Sequence, residues 1–255
     1  MSIPYSRYIF GSLPWYGTLI VCGLTVAIIL CSIEEKRRHL PQDTVIDLAF
    51  WVIPSGLIGA RLYYVVFQWS LFADDPLSIL RIWEGGLAIY GGVIGGFIGI
   101  MIFSRKRKLN PAVLTDMIVP GLALAQAIGR WGNYFNMEAY GKEVINPSLH
   151  FFPFAVQILH DGEYVWHHAT FFYESCLNIT IFLLLWFLAR KRSKTPGTVT
   201  LCYFLLYGLG RSVIEGFRTD SLMLGSFRIS QLLSAVLFIL SAAILLFRFF
   251  HYKKK

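Results

Sequence analysis

The sequence predicts an all-α integral membrane protein. It reads as seven transmembrane helices in a single polytopic domain over 1–255, with the N-terminus outside and the C-terminus in the cytoplasm. Three observations predict this. Of the 255 residues, 56% come from the set AVILMFWYC and only 15% are charged, against roughly 45–50% and about 25% in an average soluble domain. Seven apolar stretches come close to the roughly 20 residues that cross a bilayer core. The cations gather at alternate ends of those stretches. Such a composition excludes an ordinary cytosolic enzyme, a disordered chain and a disulfide-stapled secreted module.

The stretches lie at about 15–33, 46–72, 87–103, 112–133, 171–189, 198–217 and 230–250. Residues 1–14 hold Pro4, Gly11 and Pro14 and lack the pattern of a cleaved secretory signal, so they read as a short external segment. The third stretch is short, and its Gly91, Gly95 and Gly99 recur every four residues, a spacing that lets a neighbouring helix approach closely. The one long connection, about 134–170, is aromatic-rich and reads as an extracytoplasmic loop region. Its His150, His160, His167 and His168 have no acidic or Cys partners at ligand spacing, so no metal site is expected. Cys22, Cys31, Cys176 and Cys202 all fall inside apolar stretches, which indicates no disulfide framework.

The formal charge of +8 arises from 23 Lys and Arg against 15 Asp and Glu. Fifteen of the cations sit in four clusters: Lys36 to Arg38, Arg105 to Lys108, Arg190 to Arg192 with Lys194, and Arg248 with Lys253 to Lys255. These clusters mark the cytoplasmic side and contact the lipid surface. Nucleic acid is not an expected partner. Arg7, Arg81, Lys142, Arg218 and Arg228 fall in outer loops, and Arg61, Arg130 and Arg211 lie within apolar stretches.

Ionisable residues inside a span cost roughly 2.5–3.5 kcal/mol each and mark sites by default. The run GRWGNYFNMEAYG at 129–141 packs Arg130, Asn133, Asn136 and Glu138 among glycines, which suits a phosphate or glycerol head group. In YGLGRSVIEGFR at 207–218, Arg211 and Glu215 are four apart and share a helix face. Arg130 and Arg211 converge at one depth without an equal supply of acids, which asks for an anionic partner such as a phospholipid phosphate. A third run, WEGGLAIYGG at 83–92, starts the third stretch on the same outer side, as Trp15-Tyr16-Gly17 and HATFFYE at 168–174 start theirs.

The 129–141 run resembles the signature of the bacterial prolipoprotein diacylglyceryl transferases, close to G-R-x-G-N-F-x-N-x-E-x-x-G. The resemblance covers nearly the whole chain, through WYG at 15–17, GARLYYV at 59–65, WEGGLAIYGG, HHATFFYES at 167–175 and GRSVIEGFRTDSL at 210–222 followed by Gln231. It implies transfer of the diacylglyceryl group of phosphatidylglycerol to the lipobox Cys thiol of a prolipoprotein, forming a thioether and releasing glycerol phosphate. This is the first step of bacterial lipoprotein maturation, needs no cofactor, and belongs on the extracytoplasmic face of the cell membrane. By resemblance, Arg130 and Arg211 hold the donor phosphate. Asn133, Asn136, Glu138 and Gly141 bind the head group or hold its loop, Tyr16 and Tyr207 line the site, and Glu215 pairs with the second Arg.

Two positions depart from the family pattern. Tyr90 stands where some members carry a His proposed as the thiol's base, and a phenol of pKa near 10 is a poor base at neutral pH. The proton acceptor is then Glu138, Glu215, the donor phosphate itself, or no protein group. Ala169 replaces a usual Pro after the His, which favours a structural role for His168. The competing reading is an anion or lipid transporter that uses the membrane arginines; it predicts internal repeats and helices broken near the midplane.

Overall fold

The computed structural model of the chain describes residues 6–160, 162–192, 195–219, 223–224 and 227–252. Lys194 and Lys253 to Lys255 of the basic clusters lie outside these residues. Seven long helices follow one another: α1 (Trp15–Arg37), α2 (Thr44–Phe67), α3 (Ile89–Arg107), α4 (Pro111–Asn136), α5 (Thr170–Leu184), α6 (Thr198–Glu215) and α7 (Ile229–Tyr252). A π-helical stretch, Leu185–Ala189, and a final turn, Arg190–Arg192, prolong α5. Six of these helices are long and apolar enough to cross a membrane. The exception is α6, only 18 residues long and carrying Arg211 and Glu215 in its last two turns.

The helical reading holds with an addition: among the described residues the chain also forms three two-stranded antiparallel hairpins. Two are very short, β1 (Tyr8–Ile9) with β2 (Leu13–Pro14) and β5 (Met223–Leu224) with β6 (Phe227–Arg228). The third pairs β3 (Ala155–His160) with β4 (Glu163–His168), so the region expected as one long loop contains a six-residue ladder. Gly162 takes φ 89° at its turn. The Asp161-Gly162 dipeptide between two short runs that carry Val156 and Ile158 on one side and Tyr164, Val165 and Trp166 on the other is the sequence signal for this hairpin.

The chain divides into two compact units, one of residues 31–117 and one formed by 1–30 with 118–255. In the first, α2 and α3 pack along their glycines. A Cβ at Gly59 would fall 2.5 Å from the Gly91 carbonyl oxygen and 2.9 Å from Gly95 Cα, so only hydrogen fits there. Arg61, buried on α2, organises the segment that follows. Its Nε donates to the Ile79 carbonyl at 2.8 Å, Nη1 to Gly85 at 2.7 Å and Nη2 to Ser78 at 2.6 Å, while the guanidinium lies 5.0 Å from the Phe72 ring centroid. Carbonyl oxygens and an aromatic face thus replace water around this charge.

The helix α4 begins within residues 31–117 and, from residue 118 on, is the spine of the second unit. Its upstream residue Asn110 accepts from the Ala112 amide at 2.9 Å and Pro111 opens the helix, a cap that fits both residue types. At the far end Met137 adopts φ 52°, the Met137 amide donates to the Tyr134 carbonyl at 3.0 Å, and the Glu138 amide donates to Asn133 at 3.0 Å. This double bond pattern closes the helix and turns the chain sharply after Asn136. A residue other than glycine in the left-handed region costs on the order of 1 kcal/mol or more, a cost tolerated chiefly at functional positions. Val119, Ala123, Ile181, Leu185, Val199 and Tyr203 form one core between α4, α5 and α6. Tyr134, Val156, Ile158, Ala169 and Phe171 form a second one, beneath the β3–β4 hairpin.

Candidate active site

Alternation of chain direction brings the C-terminal end of α4, the start of α5 and the C-terminal end of α6 together. Arg130 projects from the end of α4 and Glu174 from the second turn of α5. Arg130 Nη2 lies 2.6 Å from Glu174 Oε2, and Arg211 of α6 bonds to Oε1 of the same carboxylate. Arg211 Nη2 is also 2.7 Å from Glu215 Oε2, the pairing that the four-residue spacing implies. Arg218, just beyond α6, places Nη1 3.0 Å from Glu174 Oε1, and Arg228 donates to the backbone carbonyl of Glu215.

The convergence of Arg130 and Arg211 therefore occurs, but around an acid. Glu174 is 1% exposed and touches three arginines. The expectation that Arg130 and Arg211 converge without an equal supply of acids is corrected by Glu174, which the sequence placed in the run HATFFYE at the start of an apolar stretch but did not single out as their partner. Arg218 and Arg228, expected in outer loops, belong to the same cluster. Among the described residues its balance is positive: Arg130, Arg211, Arg218 and Arg228 gather about Glu174 and Glu215. Arg130 is the most accessible of the three arginines on Glu174, with a side chain 24% exposed against 12% for Arg211 and 10% for Arg218.

The remaining signature residues form a polar rim at the end of α4. Arg130 and Asn133 are one turn apart, with Arg130 Nη1 3.5 Å from Asn133 Oδ1. Asn133 donates to Glu138 Oε1 at 2.9 Å, and Asn136 reaches the same oxygen at 3.4 Å. Glu138 is exposed and has amides, not guanidiniums, as these partners. The Tyr16 ring lies against Gly132. Tyr207, one turn before Arg211, stacks on Tyr203 at 5.5 Å, and Tyr203 donates to Gln126 at 2.8 Å. Gln126, Arg130 and Asn133 form a polar row along α4 that sequence reasoning did not single out as a row.

Gly141 has a structural part in this arrangement. Its amide donates to the His168 carbonyl at 2.9 Å, its own carbonyl receives His167 Nδ1 at 2.8 Å, and it bridges to Arg218. A Cβ at 141 would lie 2.6 Å from His168 Cβ and 3.0 Å from the Phe217 carbonyl oxygen. The segment after the signature is thereby stitched to both β4 and the exit of α6, which sets the position of Arg218. Burial, and secondarily the neighbouring His167, hold the His168 imidazole below its usual value. At neutral pH it is uncharged and adds nothing to the cationic cluster. Tyr90 opens α3 in the other unit, 6.4 Å from the Tyr63 ring.

The sequence profile described as prolipoprotein diacylglyceryl transferase matches residues 6–247. Three curated proteins named phosphatidylglycerol–prolipoprotein diacylglyceryl transferase are similar to the chain. That of Limosilactobacillus reuteri is 44% identical over 238 residues, covering 92% of this chain and 86% of its own. That of Listeria welshimeri is 41% identical over 241 residues, covering 93% and 86%. That of Streptococcus agalactiae is 41% identical over 240 residues, covering 93% and 92%.

Proposed function

The chain belongs to the prolipoprotein diacylglyceryl transferase family, and on that premise we propose that it carries out diacylglyceryl transfer from phosphatidylglycerol to the lipobox Cys of a prolipoprotein at the arginine cluster. The observation that carries the reading is the meeting of Arg130, Arg211 and Arg218 on Glu174, with guanidiniums in surplus. A phosphodiester supplies the missing negative charge, and guanidinium is the cation best matched to it in geometry and hydration. Arg130, the most accessible, meets the phosphate first; Arg211 and Arg218 are fixed by Glu174 and Glu215 so that their charge is oriented before substrate arrives.

The reaction needs little else. The Cys sulfur forms a bond to the terminal glycerol carbon of the diacylglyceryl group, and the bond from that carbon to the phosphate oxygen breaks. The electron pair leaves with glycerol phosphate, whose added charge the arginines stabilise. The thiol proton goes to Glu138, the signature acid whose described partners are the two asparagines and which is exposed to an incoming substrate. Asn133 and Asn136 hold that carboxylate beside the head group, and Tyr16 and Tyr207 bound the site. Because these groups sit at one end of α4, α5 and α6, the site lies at one membrane face. The basic residues at the opposite ends of α5 and α7 support the extracytoplasmic face of the cell membrane. In this reading α6 also spans, with Arg211 and Glu215 neutralising each other, which gives seven spans and an external N-terminus. The transporter reading is not favoured.

The test incubates the purified protein with phosphatidylglycerol labelled in its acyl chains and a lipobox peptide. Label should appear on the Cys peptide, and Arg130→Ala and Asn133→Ala should abolish it while both variants still insert. An unlabelled peptide with the unmodified protein, or variants that transfer at the ordinary rate, would overturn the assignment.

A further inference from the structure

The arginine cluster has a polar continuation toward the middle of its helices. Gln126 precedes Arg130 by four residues on α4, and Tyr203 and Tyr207 precede Arg211 by eight and four on α6. Such spacings keep each set on one helix face, so two polar rows run along α4 and α6. The rows are tied at both ends. Glu174 binds Arg130 and Arg211 at the cluster itself. Deeper along the helices, the Tyr203 hydroxyl donates to Gln126 Oε1 at 2.8 Å. Tyr203 is buried and stacks on Tyr207, so the hydroxyl that meets Gln126 is held in place.

That bond decides which half of the amide is available. With Oε1 turned to Tyr203, the Nε2 donors are what Gln126 presents, and among the described residues they have no partner. Gln126 is half-buried, and an amide donor left without an acceptor in an apolar helix is costly. A phospholipid brings an acceptor to that depth. Four residues of α4 rise about 6 Å, and the ester carbonyls of a diacylglyceryl group lie a few bonds inward of its phosphate. With the phosphate on Arg130, an ester carbonyl reaches the level of Gln126. We propose that Gln126 donates through Nε2 to an ester carbonyl of the diacylglyceryl group, which makes it a specificity residue for ester-linked donor lipids. The inference rests on the transferase reading and adds a contact which that reading does not require, because the esters take no part in the bond that breaks.

The probes are dioleoylphosphatidylglycerol and its dioleyl diether counterpart, which lacks both carbonyls, each presented in mixed micelles with a lipobox peptide. The unmodified protein should transfer from both, with a KM for the diester about fivefold below that for the diether, the worth of one hydrogen bond. Gln126→Met keeps the length of the side chain and removes the amide. It should raise the KM for the diester about fivefold and erase the preference. The loss belongs in KM rather than kcat, because the contact is the same before and during bond breaking. Tyr203→Phe removes the hydroxyl that orients the amide and keeps the ring in its core, so it should reduce the preference as well, and the inference does not depend on one variant folding. Equal KM values in the unmodified protein, or a preference that survives Gln126→Met, would overturn the inference alone. Transfer from neither donor would instead overturn the transferase reading.

Discussion

At the scale of single residues, Glu174 is the side chain on which most depends. It is buried, and it fixes three arginines that would otherwise repel one another. Glu174→Gln keeps the shape but removes the charge. Breaking a buried ion pair from one side costs about 3–5 kcal/mol, so the variant should melt well below the parent and lose transfer activity. Thermal unfolding in detergent alongside the peptide-labelling assay checks both; unchanged melting would mean that the arginines do not need this carboxylate. Tyr90 is a different case. Tyr90→Phe removes only a hydroxyl, and loss of one neutral hydrogen bond is worth roughly 1 kcal/mol, so the variant should keep transfer within about fivefold of the parent. A hundredfold fall in rate, with normal melting, would restore a catalytic part to that hydroxyl.

At the scale of elements, close helix approach depends on hydrogen at Gly59. Gly59→Val would push α2 and α3 apart along their contact. Overpacking of this kind costs roughly 1–3 kcal/mol. The variant should unfold at lower temperature and resist proteolysis less in residues 31–117, while Gly96→Ala, whose Cβ would meet its nearest atom, Val52 Cγ1, at 3.7 Å, should change stability little; equal effects would remove the seam's importance. The helices themselves were legible, because a bilayer forces long apolar runs that no soluble surface would carry. The β3–β4 hairpin was harder to read, since its strands become stable only by pairing with each other and covering Tyr134 and Phe171. Arg130 stood out in the sequence as a charge where none should be. Its partner Glu174 did not, because the pair is 44 residues apart and only the packing of α4 on α5 joins them. Arg218 was read as a loop cation for the same reason: it reaches Glu174 through the stitch between Gly141 and Phe217–Arg218.

At the scale of the whole molecule, the distribution of charge separates two tasks. Fifteen cations cluster at the ends of α1, α3, α5 and α7, while Arg130, Arg211, Arg218 and Arg228 gather at the far ends of α4 and α6. In the proposed reading the first set orients the chain during insertion, and the second, held in place by acids, meets the substrate. An exported prolipoprotein presents its Cys outside the cytoplasm, so the two sets must face opposite compartments for the reaction to occur. This can be measured on a background with Cys22, Cys31, Cys176 and Cys202 replaced. Lys142→Cys, beside the signature, should react with a membrane-impermeant maleimide in intact spheroplasts. Lys108→Cys, after α3, should react only once the membrane is opened. If both label in intact spheroplasts, or if the order is reversed, the sevenfold crossing fails. With it fails the claim that surplus guanidinium charge at the Glu174 cluster meets phosphatidylglycerol from the outer leaflet. If the predicted order holds, α4 crosses the membrane with the signature outside; α6 crosses despite Arg211 and Glu215 if Lys191→Cys, before it, reacts only once the membrane is opened and Thr219→Cys, after it, reacts in intact spheroplasts.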